Sequence, residues 1–377
     1  MNTKILHIQK KNRTPANTVA KLEDFDYQEG ETIDPRTIIK NPNISLYCLD
    51  PQNQRAIFVE TPLDIDLSQA AFFYHAQYDH AQKLIAVPLP EIPQLIEEIE
   101  PIKNLVIIYS VGRCGSTLLS KVFNQVDNVL SLSEPDVFSQ IVGMRNPDGS
   151  NDDEIAQLLK LCIYLVGKPN VTGKSSCCVI KLRSFCIELG ELIHHVFPNA
   201  KVIFLYRNLE DVVKSSMRSF VFLSSMLPTI KENIERYSRA IPLLKDYSNY
   251  IDFTDPNAID LYTTVWLSVM QRYLFLYKKG IPSCAIRYED LVVSPQSIVT
   301  SIFQYCELPI SQVDSACKVF AKDSQSGSNL SQENTRNNQI NELDIVDIRQ
   351  KINRLLKKHP EIKTPDFIVP GTLDYDK

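Results

Sequence analysis

The sequence predicts an α/β fold: a parallel β-sheet flanked by helices, with a small accessory region over residues 1–100. Two observations carry this. From Leu105 onward, short apolar, β-branched runs alternate with segments of helical period, the pattern of strands joined by helical crossovers. The first run, residues 105–110, is apolar up to its last residue, as a strand buried on both faces requires. Such crossovers place helices on both faces of the sheet. Ligands then bind beyond the carboxyl ends of the strands, so functional residues are expected just after strands.

The elements follow in order. Residues 12–43 are polar and Pro-bearing and read as irregular. Residues 44–49 and 55–60 flank a DPQNQ turn and read as a hairpin. Residues 70–89 read as a helix followed by a short strand, and 92–100 as a short acidic helix or linker. Over 101–377, strands are expected at 105–109, 129–132, 178–182, 202–206 and 283–287. Helices are expected at 116–125, 153–166, 185–197, 209–218, 230–246, 257–279, 295–307 and 343–357. There are no internal repeats and no low-complexity tracts.

Composition narrows the classes. A chain of 377 residues can bury a full core. A net charge of -5 argues against a nucleic-acid partner or a polybasic membrane surface, and disfavours a long polyanionic acceptor. Nine cysteines, an odd number, include the adjacent pair Cys177–Cys178 and no C-x-x-C spacing. Buried small hydrophobes fit better than disulfides or zinc ligands. The first residues lack an apolar signal core and no long apolar span occurs, so a cytoplasmic protein is expected. The Asn-x-Ser/Thr triplet at Asn170 then carries no glycosylation meaning.

Three motifs stand where chemistry is expected. The first is LVIIYSVGRCGSTLLSK, residues 105–121. A strand runs into a turn with Gly112 and Gly115, then Ser116, Thr117 and a helical pattern. The first N–H groups of a helix lack intrahelical partners and the dipole there is positive, so this is an anion cradle. Arg113 adds a cation with fork geometry. The usual nucleotide-triphosphate loop has a Lys before its Ser/Thr, and here there is none. In the second motif, KVIFLYRNLEDVVKSSMRSF, a strand delivers Arg207, Asn208 caps a helix with Asp211 at a capping-box position, and Ser215 lies two turns on. Arg207 and Ser215 can donate to one phosphate; alone, a strand-end Arg and a solvent-facing Ser would be the simpler account. In the third, IRYEDLVVSP, Glu289 and Asp290 suit a structural role, orienting Arg or Lys side chains. Gly173-Lys174-Ser175 imitates the end of a nucleotide-triphosphate loop, but a strand pattern follows it, so it reads as a turn.

Taken in order, GRCGST, RNLEDVVKS and RYEDL resemble the sulfotransferases that use 3′-phosphoadenosine 5′-phosphosulfate (PAPS). The resemblance implies a P-loop nucleotide-kinase-like core, the product adenosine 3′,5′-bisphosphate, and no metal. It implies that Arg113, Cys114, Gly115, Ser116 and Thr117 bind the 5′ end of the donor. Arg207 and Ser215 would bind its 3′-phosphate, and Lys181, with Arg113 and the loop N–H groups, would meet the charge that builds on the leaving group. This accounts for the missing lysine, since the donor has no γ-phosphate. Small-molecule members carry a Lys-Thr-His sequence with His as base; here the residues are Lys181, Leu182 and Arg183. The carbohydrate and tyrosyl-protein branch instead uses a Glu, and SLSEPDVF supplies Glu134. A carboxyl part-buried beside a cleft has a raised proton affinity, which suits a base. The simpler account is that Glu134 pairs with Arg113 or Arg183 and positions them. His194 and His195 are also candidates, on a helix where a solvated or core histidine is the plainer role.

The family's late Arg-Lys-Gly clamp is missing. In its region Lys322, Ser326 and Gly327 are weak candidates for cofactor contacts, with 320–340 a cofactor lid and 341–377 a C-terminal helix and tail. Arg183, Phe220 and His195 are weak candidates for the acceptor. Its pocket is expected from 136–175 and 217–255, with Met217, Phe222, Met226 and Tyr237 among its apolar walls. A small-molecule acceptor, a metabolite or natural product, is favoured over a polymer. The first 100 residues either cover the cleft or build a homodimer. Two other readings stay open: a non-catalytic sensor of adenosine 3′,5′-bisphosphate and a nucleotide-dependent kinase.

Overall fold

The computed structural model describes residues 2–13, 18–169, 173, 176–328, 330–335 and 342–373. Asn170, Lys174 and Ser175, and residues 329, 336–340 of the expected lid, lie outside them. Ten strands form two sheets among the described residues. The first holds β1 (Lys4–Lys11), β2 (Phe25–Thr32), β3 (Ile44–Asp50), β4 (Arg55–Glu60) and β5 (Lys83–Pro88) in antiparallel order β2-β1-β5-β4-β3. The second holds β6 (Asn104–Ser110), β7 (Val129–Ser133), β8 (Cys177–Lys181), β9 (Lys201–Tyr206) and β10 (Cys284–Arg287). It is parallel, in the order β10-β9-β6-β8-β7, with helices between its strands.

The expected strands of the parallel sheet appear within a residue or so of their bounds, because each is a mostly apolar run that the sheet buries, Ser131 and Ser133 of β7 included. The hairpin of β3 and β4 also appears. The irregular reading of 12–43 is corrected: Phe25–Thr32 pairs with Lys4–Lys11. β2 is a polar edge strand, FDYQEGET, held by its ladder to β1 more than by burial. Its first side chain, Phe25, joins the buried cluster of Leu6, Tyr47, Ile57, Val59 and Leu84, and Tyr27 packs against it half-buried. The helix expected at 230–246 is also corrected. It breaks into Leu223–Glu232, Ile234–Tyr237 and Leu243–Asp246, the last opening after Pro242, which has no N–H to continue a helix. The helix expected at 185–197 begins instead as a 3-10 turn, Ser184–Leu189, before Gly190–Val196.

The chain divides into two compact units. One comprises Met1–Ile107, Phe123–Leu182 and Leu192–Ala200, and holds the antiparallel sheet with β7 and β8. The other comprises Ile108–Val122, Arg183–Glu191 and Lys201–Lys377, and holds β9, β10 and the long helix Ile259–Lys278. In this second unit the outer edge of β10 is covered by the C-terminal segment. Ala285 N–H donates to Gly371 (3.0 Å), and Leu373 N–H donates back to Ala285 (2.9 Å). The hydroxyl of Tyr273 donates to the Pro370 carbonyl at 2.7 Å, and that of Tyr206 meets Thr372 Oγ1 at 2.8 Å. Among the described residues, no helix is long and apolar enough to cross a membrane.

One buried histidine sets a pH dependence. His359 is 0% exposed. Its Nδ1 accepts from the N–H groups of Glu361 and Ile362, leaving Nε2 to donate to Gln271 Oε1 at 3.1 Å. Burial holds the ring down to about 4. A histidine kept neutral in the fold but free to titrate near 6.5 when unfolded favours folding above 6.5. That contribution is lost as pH falls towards 4. The loss is expected to be roughly 3 kcal/mol at most. The urea midpoint should fall less between pH 7 and pH 4.5 in a His359→Gln variant than in wild type.

Candidate functional site

The first motif lies in the second unit. The loop after β6 needs unusual backbone: Gly112 has φ 77°, Arg113 φ 51° and Gly115 φ 80°. Glycine accepts these angles freely; arginine does not, so Arg113 stands in a strained conformation of the kind functional sites retain. A Cβ on Gly115 would lie 2.8 Å from the Tyr288 ring, so no side chain fits there. The loop is tied to β9, because Val111 N–H and Cys114 Sγ both donate to the Leu205 carbonyl, at 3.2 and 3.3 Å. Cys114 thus turns its thiol towards β9 and offers an anion its backbone. Ser116 and Thr117 are buried at the start of the helix Ser116–Asn124, whose first N–H groups point back at the loop.

Two guanidinium groups meet here. Arg207, at the end of β9, donates through Nη1 to the Arg113 carbonyl at 3.3 Å and lies 4.5 Å over the Tyr288 ring. It pairs with Asp211, at 3.4 Å. Its Nε is buried without a hydrogen-bond partner among the described residues. Arg113 donates through Nε to Ser215 Oγ (3.0 Å) and through Nη1 to Gln325 Oε1 (3.0 Å). Burial, and then the like charge of Arg207, push the Arg113 guanidinium down to about 10. It stays charged at neutral pH, in a place that disfavours charge. An anion is the group that would relieve this. Ser215 is therefore brought to the cluster, but against Arg113. Asp211 faces Arg207 instead of closing the capping box: Asn208 Oδ1 accepts from Glu210 N–H, and Asn208 N–H donates to Glu289 Oε1 at 3.1 Å. Glu289 Oε2 also lies 3.5 Å from Arg287 Nε.

The carboxylate and lysine lie in the first unit. Ser133 at the end of β7 pairs with Lys181 at the end of β8. The next residue, Glu134, donates its N–H to the Lys181 carbonyl at 2.7 Å, and Lys181 Nζ donates to Glu134 Oε1. Backbone and side chain of one lysine thus hold one glutamate. Lys181 is 3% exposed, with its ammonium 5.9 Å from the Phe72 ring. Glu134 has φ 60°, although it precedes Pro135, a position that favours extended backbone. Like Arg113, it is a motif residue held in a strained conformation.

The weaker candidates scatter. Phe220 lies 5.8 Å from the Arg113 guanidinium. Arg183 is half-buried ahead of the 3-10 turn Ser184–Leu189, and His195 is exposed on its helix. Lys322 and Ser326 are exposed, and Gly327 sits in a turn at φ 78°. In that segment Gln325 is the residue that reaches the cluster, and no sequence signal singled it out. Among the described residues, no group of three or more His, Cys, Asp or Glu side chains is placed to hold a metal ion.

Residues 103–359 match the sulfotransferase domain family. Three solved structures are similar. A sulfotransferase domain from the curacin biosynthetic pathway is 17% identical, covering 69% of this chain and 98% of that one, with a TM-score of 0.41. A sulfotransferase from Alicyclobacillus acidocaldarius is 13% identical, covering 69% and 93%, at a TM-score of 0.35. A mouse sulfotransferase complexed with PAP is 8% identical, covering 71% and 88%, at 0.36. A search of the curated proteins finds no match.

Proposed function

The chain belongs to the sulfotransferase domain family, and from that premise we propose that it moves a sulfuryl group from PAPS to a hydroxyl or amine of a small-molecule acceptor. The observation that carries the donor is the pairing of Arg113 with Arg207, two like charges gathered where a polyanion would compensate them. The fit is good. Arg113, Ser116, Thr117 and the loop N–H groups would hold the 5′ end, with Arg207 and Ser215 at the 3′-phosphate. Once bound, the donor supplies an activated sulfuryl group and leaves as adenosine 3′,5′-bisphosphate.

The chain's own residues do the rest. Glu134 Oε accepts the proton of the acceptor. Lys181, already donating to Glu134, has further N–H bonds to offer a developing negative charge. Preorganised donors of this kind are typically worth about 3 kcal/mol of barrier each. Glu134-Pro135 and the Arg form of the first loop favour the carboxylate-base chemistry of the carbohydrate and tyrosyl-protein branch. The net charge of -5 suits a neutral or cationic small acceptor. Label transfer from PAPS, and none from ATP, is the expected result over a panel of phenols, alcohols and amines. Turnover with ATP alone would sink the proposal. Tight binding of adenosine 3′,5′-bisphosphate with no transfer to any acceptor would favour a sensor.

A further inference from the structure

We propose that Arg13 is a positioning residue for Glu134, acting through Asp136; this rests on the reading of Glu134 as the base. The turn Ser133-Glu134-Pro135-Asp136 leaves β7 in a conformation that a glutamate before proline disfavours. Such a turn persists only if its surroundings fix it at both ends. The near end is fixed by the ladder to β8 and the two bonds to Lys181. The far end is fixed from the N-terminal part of the same unit.

Asp136 is 1% exposed, immediately before the helix Val137–Met144. Its Oδ2 accepts from Ala20 N–H at 2.6 Å and lies 3.5 Å from Arg13 Nη2. Arg13, 8% exposed, has its other contacts inside the accessory region. Nη1 donates to Tyr47 Oη at 3.1 Å, Nη2 donates to the Thr18 carbonyl, and the guanidinium lies 4.7 Å from the Tyr74 ring. Tyr47 in turn donates to Asp24 at 2.6 Å. One turn along the helix, Gln140 exchanges two hydrogen bonds with the backbone of Leu49 in β3.

Buried charges are a poor way to gain stability, since apolar side chains of the same volume do as well or better. What a buried Arg–Asp pair supplies is register, since its partners fit in one arrangement only. Here that register is handed to Asp136, two residues from the carboxylate. The accessory region thus contributes to the reaction through Asp136.

The test is Arg13→Met beside Arg13→Lys in the full chain. Arg13→Met is expected to lower kcat about 10- to 100-fold, the effect of a carboxylate displaced by about 1 Å. The acceptor KM and the Kd for adenosine 3′,5′-bisphosphate should stay within about twofold. Arg13→Lys should recover part of kcat. Amide exchange at Glu134 should quicken about tenfold in Arg13→Met. Unchanged kcat and exchange in a folded Arg13→Met protein would overturn the inference, as would equal loss in kcat and nucleotide binding. Should Arg13→Met not fold, Asp136→Asn carries the same comparison. If wild type shows no transfer from PAPS, the functional reading fails; the exchange measurement still decides whether Arg13 fixes the turn.

Discussion

Replacing Glu134 with Gln is expected to lower kcat by about 10²- to 10⁴-fold, the usual contribution of a positioned general base. The substitution is chosen for what it keeps. Gln has the same length and the same cost at φ 60°, and its Oε1 can still accept from Lys181 Nζ. What it loses is the ability to take a proton. It also leaves the buried Lys181 ammonium without its carboxylate, so the melting temperature should drop and assays belong well below it. Binding of adenosine 3′,5′-bisphosphate should be unaffected. A kcat within about threefold of wild type would mean that Glu134 only holds Lys181, and the base would have to be sought elsewhere.

The second large effect is expected at Arg207. Arg207→Ala removes the guanidinium stacked on Tyr288 and bonded to the Arg113 carbonyl. A hydrogen bond to a charged group contributes about 1.5–3 kcal/mol. Affinity for adenosine 3′,5′-bisphosphate should therefore fall about 10- to 100-fold. Adenosine 5′-monophosphate, which lacks the 3′-phosphate, should lose much less, and the preference for the bisphosphate should collapse. Arg207→Lys should not restore it, since an ammonium lacks the planar fork and the ring contact. Calorimetric titration of both nucleotides reads this directly. Equal weakening of the two would move Arg207 away from the 3′-phosphate.

Much of this molecule is visible in its sequence. The parallel strands are legible because strands buried on both faces are mostly apolar and β-branched, as residues 105–109 and 202–206 are. Each motif then falls at or just beyond a strand's carboxyl end, where such a sheet exposes its ligand-binding edge. β2 is hidden because an edge strand satisfies its backbone through one neighbour and can keep polar side chains, as FDYQEGET does; β1, KILHIQKK, is hidden because it pairs with β5 only over Lys4–Leu6 and is mostly polar and exposed beyond that. The contacts that build the cluster are hidden for another reason. Arg113 to Ser215 spans 102 residues and Arg113 to Gln325 spans 212, and no local pattern encodes either. The strain at Glu134 is hidden most deeply, since Pro135 argues for extended backbone there.

The covering of β10 by the last described residues has a consequence for how the chain is made. Thr372 pairs with Ala285, so the edge of the parallel sheet stays open until residue 372 has been synthesised. A nascent or prematurely stopped chain would carry a bare strand, with unpaired N–H and C=O groups that invite pairing with another chain. A chain that stops short of Gly371 lacks only a few residues of surface, yet those residues decide whether chaperones and proteases meet a covered sheet edge or a bare one.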